Sequence, residues 1–186
     1  LVIAIDGPAA SGKSSVSRAL AQRLGFALVN TGVMYRAVTW HVIQSAVDPS
    51  DAKAVEELLE NSRIECGLQD GQSRFRINGA DPGDSLVSSL VNAAVSKVAS
   101  LPCVRRRLVA LQRACADQYP SVMEGRDIGT AVFPDTPHKF YIDASPEVRA
   151  SRRAGQGLHD SVVQRDAMDS SRKDSPLTVA TDAEVI

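Results

Sequence analysis

The chain has 186 residues, with 21 Lys and Arg against 22 Asp and Glu for a net charge of −1, and is 44% hydrophobic and 23% charged. That balance excludes a disordered chain and a general nucleic-acid binder, and the length fits one main domain with room for insertions. No run nears the roughly 18 apolar residues of a membrane helix, no charged-then-apolar signal segment is found, and Cys66, Cys103 and Cys115 form no C-x-x-C pair, so a reduced, cytoplasmic protein is expected.

Leu1–Ile5 is apolar without alternation, which predicts a buried strand. A loop of small residues follows from Gly7 to Gly12. Val16, Leu20 and Leu24 then recur every four residues before Gly25, predicting a helix with that apolar face and a glycine stop. Phe26–Val29 predicts a second strand, and Met34, Val38 and Val42 mark a helix from Gly32 to about Ile43. Strand–helix–strand–helix order implies a parallel α/β sheet. Between about Pro49 and Ser100 the texture changes. A helix near Ala52–Glu60 precedes two alternating stretches, Ile64–Leu68 and Arg74–Ile77, around the turn pair Asp70-Gly71. This reads as an antiparallel hairpin in an inserted subdomain, closed by a helix from about Ser85 to Ser100. Val104, Leu108, Leu111 and Cys115 form the core stripe of a long helix. Strands are predicted at Ser121–Glu124 and Lys139–Asp143, two helices within Glu147–Arg172, and a strand-like end from Val179 to Ile186.

Gly7-Pro8-Ala9-Ala10-Ser11-Gly12-Lys13-Ser14 fits G-x-x-x-x-G-K-[ST] without a mismatch, between a predicted strand and a predicted helix. Glycines let the backbone N–H groups turn inward toward phosphate oxygens, and the helix N-terminus adds partial positive charge. Lys13 can reach the β and γ phosphates, and the Ser14 hydroxyl can sit on Mg²⁺ held with ATP. The chain therefore binds a nucleoside triphosphate. No N-K-x-D guanine-reading segment occurs, and a motor or helicase needs more chain. Phe140–Asp143 has the apolar run plus Asp that often holds Mg²⁺, yet Asp143 also precedes Ala-Ser-Pro-Glu, where an acidic residue starts a helix; the second reading is favoured.

Sixteen of the 21 basic residues are arginine, whose planar fork suits phosphate. Arg105, Arg106 and Arg107 are successive helix residues about 100° apart, so at most one or two can face a ligand. Arg126-Asp127 directly follows a buried strand, where open α/β sheets bind ligands. Arg149, Arg152 and Arg153 share one helix face, as a lid over ATP or as a charged surface.

Together these segments resemble the bacterial cytidylate (CMP) kinases, a branch of the nucleoside monophosphate kinases. The resemblance is carried by Ile5-Asp6-Gly7-Pro8, Thr31-Gly32-Val33-Met34-Tyr35-Arg36, the run Glu124–Pro134, and Arg165-Asp166 through Arg172 to Ser175-Pro176-Leu177. It implies a phosphate-loop kinase core over 1–50, 98–148 and 176–186, an inserted monophosphate-binding subdomain over 51–97, and an arginine-rich lid over 149–175. Gly7, Pro8, Ala9, Ala10, Ser11, Gly12, Lys13, Ser14 and Ser15 would cradle ATP. Thr31 would line the acceptor site, and Arg36 and Arg126 would hold the acceptor phosphate. Ser96, Arg105 and Asp127 would read the cytosine edge. Arg165 and Asp169 would meet the pentose, and Arg172 the transferring phosphoryl or the acceptor phosphate. Two anions that repel must be held in line, so Lys13, Arg36, Arg126, Arg165 and Arg172 converging with Mg²⁺ make physical sense. Discriminating cytosine from uracil needs an acceptor for the exocyclic amine, as Asp127 would supply.

The expected reaction is phosphoryl transfer from MgATP to CMP or dCMP. The rivals are a kinase for AMP, UMP or shikimate, and an ATP switch that transfers nothing. No heptad seam signals an obligate interface, so a monomer is expected. Eleven residues separate Arg153 from Arg165, where the resembled family carries roughly ten more, and the join Gly155-Gln156-Gly157-Leu158 provides almost no helix start. With Leu1 opening the chain and Ile186 ending it in a strand-like texture, residues of the lid and of both ends are expected to lie outside this sequence.

Overall fold

The computed structural model describes residues 1–155 and 162–186. Strands β1 (Val2–Asp6), β2 (Ala27–Asn30), β3 (Ile64–Gln69), β4 (Gln72–Ile77), β5 (Ser121–Glu124), β6 (Lys139–Tyr141) and β7 (Glu184–Val185) form one sheet in the order β3-β4-β2-β5-β1-β6-β7. All neighbours are parallel except β3 and β4. β1 is buried along its length because it lies between β5 and β6 with both faces covered. As β1, β2 and β5 run parallel, their last residues Asp6, Asn30 and Glu124 come to one edge of the sheet, where open α/β sheets place ligands.

The α-helices among the described residues are α1 (Lys13–Leu24), α2 (Thr31–Gln44), α3 (Ala52–Glu60), α4 (Ser89–Ala99), α5 (Pro102–Gln118), α6 (Pro146–Gly155) and α7 (Val162–Ser170). One apolar cluster joins α1 to the sheet through Ala21, Ile3, Ile5, Leu28 and Val122. Another packs Val29, Met123, Ile128 and Val132 against Val109 and Ala116 of α5. The largest unites α2 to α5 with Phe75 and Ile77 of β4.

The hairpin turn falls at Asp70-Gly71, with φ of 52° and 72°, and pairs Gln69 with Gln72 as its turn chemistry requires. The hairpin is also continuous with the main sheet, since Leu28 N–H donates to the Gly71 carbonyl at 2.8 Å.

Three local expectations need correction. The buried side of α1 is Lys13, Ser17 and Ala21, while Val16 and Leu24 are each 45% exposed. Small side chains there let the helix backbone approach the sheet closely. The expected helix from Ser85 is two pieces. A 3₁₀ turn at Gly83–Val87 ends where Ser88 turns extended (ψ 155°) and accepts from Val91 N–H to cap α4. The strand-like end condenses to Glu184–Val185, pairing with β6. The join at 156–158 falls among residues 156–161, outside those described.

Candidate active site

An open cleft of about 1110 Å³ runs across the carboxyl edge of the sheet. That exceeds the roughly 300–1,000 Å³ usual for one small ligand, so it has room for two. Every residue assigned above to ATP or acceptor lines it except Gly7, Pro8 and Arg105.

At one end is the loop between β1 and α1. Gly7 has φ 149°, and a Cβ there would lie 2.1 Å from the Ile142 carbonyl oxygen, so no other residue fits. Lys13 is buried and its Nζ donates to the Pro8 carbonyl at 2.7 Å. Burial, with Arg126 nearby, pulls its pKa well below the usual lysine range, while Glu124, Asp169 and Asp6 partly restore it. Ser14 donates its hydroxyl to Glu124 Oε2 at 2.7 Å. Asp143, by contrast, is exposed and accepts from Ala144 N–H at 2.7 Å, while the side chain at the start of α6 is Ser145, whose hydroxyl accepts from Val148 N–H at 3.4 Å. Glu124 is the carboxylate that reaches the loop, and sequence reasoning assigned it no role. Its signal is an acid ending a buried strand; it is 2% exposed, with Oε1 lacking a partner among the described residues.

Two arginines of α6 sit over the same loop. Arg152 donates to the Ala10 and Ser11 carbonyls at 3.2 and 2.8 Å. Arg149 donates to the Ala9 carbonyl at 3.4 Å and pairs with Asp166 of α7 at 2.6 Å. Arg153 is buried and lines the cleft with Arg165.

The middle of the cleft holds a charge cluster. Asp169 is 3% exposed; its Oδ2 accepts from Arg126 Nε at 2.9 Å and its Oδ1 pairs with Arg172. A buried carboxylate thus holds two guanidiniums at the point between the phosphate loop and the far end. Arg36 donates to the Leu86 carbonyl at 2.8 Å. Thr31 is buried on the cleft wall, its hydroxyl donating to the Glu124 carbonyl at 2.8 Å.

At the far end lie Ser96 and the buried ion pair of Arg105 with Asp127, both side chains 5% exposed. Arg105 alone of the arginine triplet is buried; Arg106 and Arg107 are exposed. Its guanidinium stands 5.7 Å over the ring of Tyr35, which burial pushes up to about 12. Burial also raises Asp127, against the pull of Arg105 and Arg172. The wall here is a polar edge set in apolar surroundings, with Val95 and Ala99 beside it.

The family model for cytidylate kinase matches residues 3–186. The chain belongs to the cytidylate kinase family. Among curated relatives, it is 46% identical over 195 residues to a bifunctional pantoate ligase/cytidylate kinase of Synechococcus sp., covering 98% of this chain and 40% of that protein. It is also 46% identical over 198 residues to the cytidylate kinases of Mycolicibacterium paratuberculosis and Mycobacterium avium, covering the whole chain and 87% of each. The chain thus spans less than half the bifunctional relatives and most of the shorter ones. The α/β fold with its mostly parallel sheet and phosphate loop agrees with family membership. Among the described residues no helix is long and apolar enough to cross a membrane.

Proposed function

We propose that this chain transfers the γ-phosphoryl group of ATP to CMP or dCMP, giving ADP and CDP or dCDP. The observation that carries the reading is one cleft with a phosphate loop at one end, the Arg105–Asp127 pair at the other, and Arg126 and Arg172 held by Asp169 between them. The names of the relatives support the choice of acceptor.

Transfer is direct and in line, with no covalent enzyme intermediate, so the protein's work is positioning and charge neutralisation. Gly7 to Ser15 cradle the donor phosphates, and Lys13 exchanges the Pro8 carbonyl for a phosphate oxygen. Arg36 and Arg126 take the acceptor phosphate, Arg172 the transferring phosphoryl or the acceptor phosphate, while Arg165 and Asp169 meet the pentose. Asp127 accepts from the cytosine amine, and Arg105 and Ser96 serve the ring edge. A phosphate monoester is already anionic near neutral pH, so no general base is required.

Mg²⁺ fits this site. The Ser14 hydroxyl and the buried Glu124 carboxylate, with one oxygen lacking a partner among the described residues, form a hard oxygen donor set beside the phosphate loop. Ser14 and Glu124 would hold the ion, which would supply charge neutralisation to the donor phosphates. We assign the core to 1–50, 98–148 and 176–186, acceptor binding to 51–97 and the lid to 149–175. We propose that it works as a monomer, and its free thiols suit the cytoplasm.

The test is ADP release from MgATP with CMP, dCMP, UMP, AMP or shikimate. Fast turnover with CMP and dCMP, slow with UMP and none with the others is expected. Turnover with another acceptor alone would remove Ser96, Arg105 and Asp127 as cytosine readers, and hydrolysis without transfer would favour an ATP switch.

A further inference from the structure

Asp6 ends β1 directly before Gly7, is 5% exposed, and has no part in the transfer derived above. Its carboxylate accepts from two successive amides, Ile128 N–H on Oδ1 at 2.8 Å and Gly129 N–H on Oδ2 at 2.7 Å. Just upstream, the Ile5 carbonyl accepts from Gly125 N–H at 3.0 Å. The segment carrying Arg126 and Asp127 is therefore pinned to the end of β1 on both sides. The stretch is closely fitted at both glycines: a Cβ on Gly125 would lie 2.7 Å from Ile128 Cδ1 and from Thr31 Oγ1, and one on Gly129 would lie 3.1 Å from the Lys139 side chain and 3.4 Å from Asp6 Oδ2.

The main chain of Asp6 is anchored separately, since its carbonyl accepts from Ile142 N–H at 2.8 Å. Changing the side chain leaves that bond, and with it the start of the phosphate loop. An asparagine would keep one acceptor and turn its NH₂ toward the second amide, setting two donors face to face in a buried site. The strain would fall on Ile128–Gly129, and through them on Asp127 and Arg126.

We propose that Asp6 is a positioning residue for the acceptor nucleotide: its two amide contacts set Arg126 and Asp127 against the phosphate loop, so CMP binding depends on it and ATP binding does not. This rests on the CMP kinase reading. Wild-type protein, Asp6→Asn and Gly129→Ala are compared by steady-state kinetics with each substrate varied, alongside thermal unfolding and amide hydrogen exchange at Ile128 and Gly129. In both variants the KM for CMP is expected to rise about tenfold or more and the KM for ATP to stay within about twofold. Faster exchange at the two amides is expected in Asp6→Asn. Equal rises for both substrates, or no rise, would overturn the proposal while leaving the CMP kinase reading intact. If Asp6→Asn does not fold, Gly129→Ala decides by the same split between substrates. A wild-type protein that turns over no CMP would overturn the reading and this inference with it.

Discussion

Lys13, Asp127 and Glu124 are ionisable side chains in surroundings that water barely reaches, and each is expected to fail differently when changed. Lys13 waits on the Pro8 carbonyl at 2.7 Å. In the proposed transfer it meets phosphoryl oxygens as their charge redistributes, so Lys13→Ala should lower kcat about 10²–10³-fold and move the KM for CMP by less than about threefold. Pre-steady-state and steady-state kinetics check this; an unchanged kcat removes Lys13 from the transfer. Asp127 carries two duties, since it is proposed to read the base and is also the counter-ion of buried Arg105. Asp127→Ala should therefore weaken CMP far more than ATP, and also cost about 3–5 kcal/mol of stability by leaving a guanidinium uncompensated. Nucleotide titration together with denaturant unfolding separates the two. Equal weakening of both nucleotides would make Asp127 purely structural. Glu124→Gln keeps an acceptor for Ser14 and removes the charge, so the Mg²⁺ concentration giving half-maximal rate should rise. No change would take Glu124 out of ion binding.

At the scale of elements, the contact of α6 with the phosphate loop is the informative one. Arg152 holds two neutral carbonyls, Ala10 and Ser11, on an exposed face. Such bonds contribute only about 0.5–1.5 kcal/mol each to folding, so Arg152→Ala should fold nearly normally. If the arginine turns to the phosphates when they arrive, kcat falls about tenfold or more with the KM for CMP unchanged; a normal kcat makes α6 a brace for the loop. The existence of most elements was legible because their signals are local. The Asp70-Gly71 turn, the Met34–Val38–Val42 stripe and the phosphate loop each dictate backbone shape within a few residues. The buried face of α1 was not legible, because Ser17 and Ala21 are chosen for how closely they let the sheet approach, which no hydropathy pattern reports. Glu124 and Asp6 escaped for a related reason. Each reads as the polar end of a buried strand until parallel pairing sets Glu124 beside Ser14 and Asp6 beside the Ile128 and Gly129 amides.

For the whole molecule, that second carboxylate sets stability against function. Burial pushes Asp6 from the ordinary 3.8 up to about 6, despite the Gly129 and Ile128 amides that favour its charged form. Asp127 and Arg126 face it from the turn it binds, and Lys13 of α1 and Tyr141 of β6 also feel its charge; Lys139 packs on Gly129 beside it. An acid whose folded pKa lies above its unfolded value binds more protons in the folded state between the two. Its stabilising contribution is therefore complete below about pH 4 and is lost as pH rises through 6, by about 3 kcal/mol for a shift of this size. Asp127, raised in the same direction by burial, adds to the trend. Holding the carboxylate charged at neutral pH thus costs stability, and what it secures is the pair of amide bonds behind Arg126 and Asp127. The difference in Tm between wild type and Asp6→Asn should accordingly shift by several degrees against the wild type from pH 4 to pH 6.5. Over the same interval the wild type should gain kcat/KM for CMP relative to the variant. Ionisation of the CMP phosphate near pH 6 is common to both proteins and cancels in the ratio. A Tm difference that is flat with pH would mean that Asp6 keeps an ordinary pKa in the folded protein. A flat ratio of kcat/KM would mean that the charge on this carboxylate is not what holds the acceptor site in place.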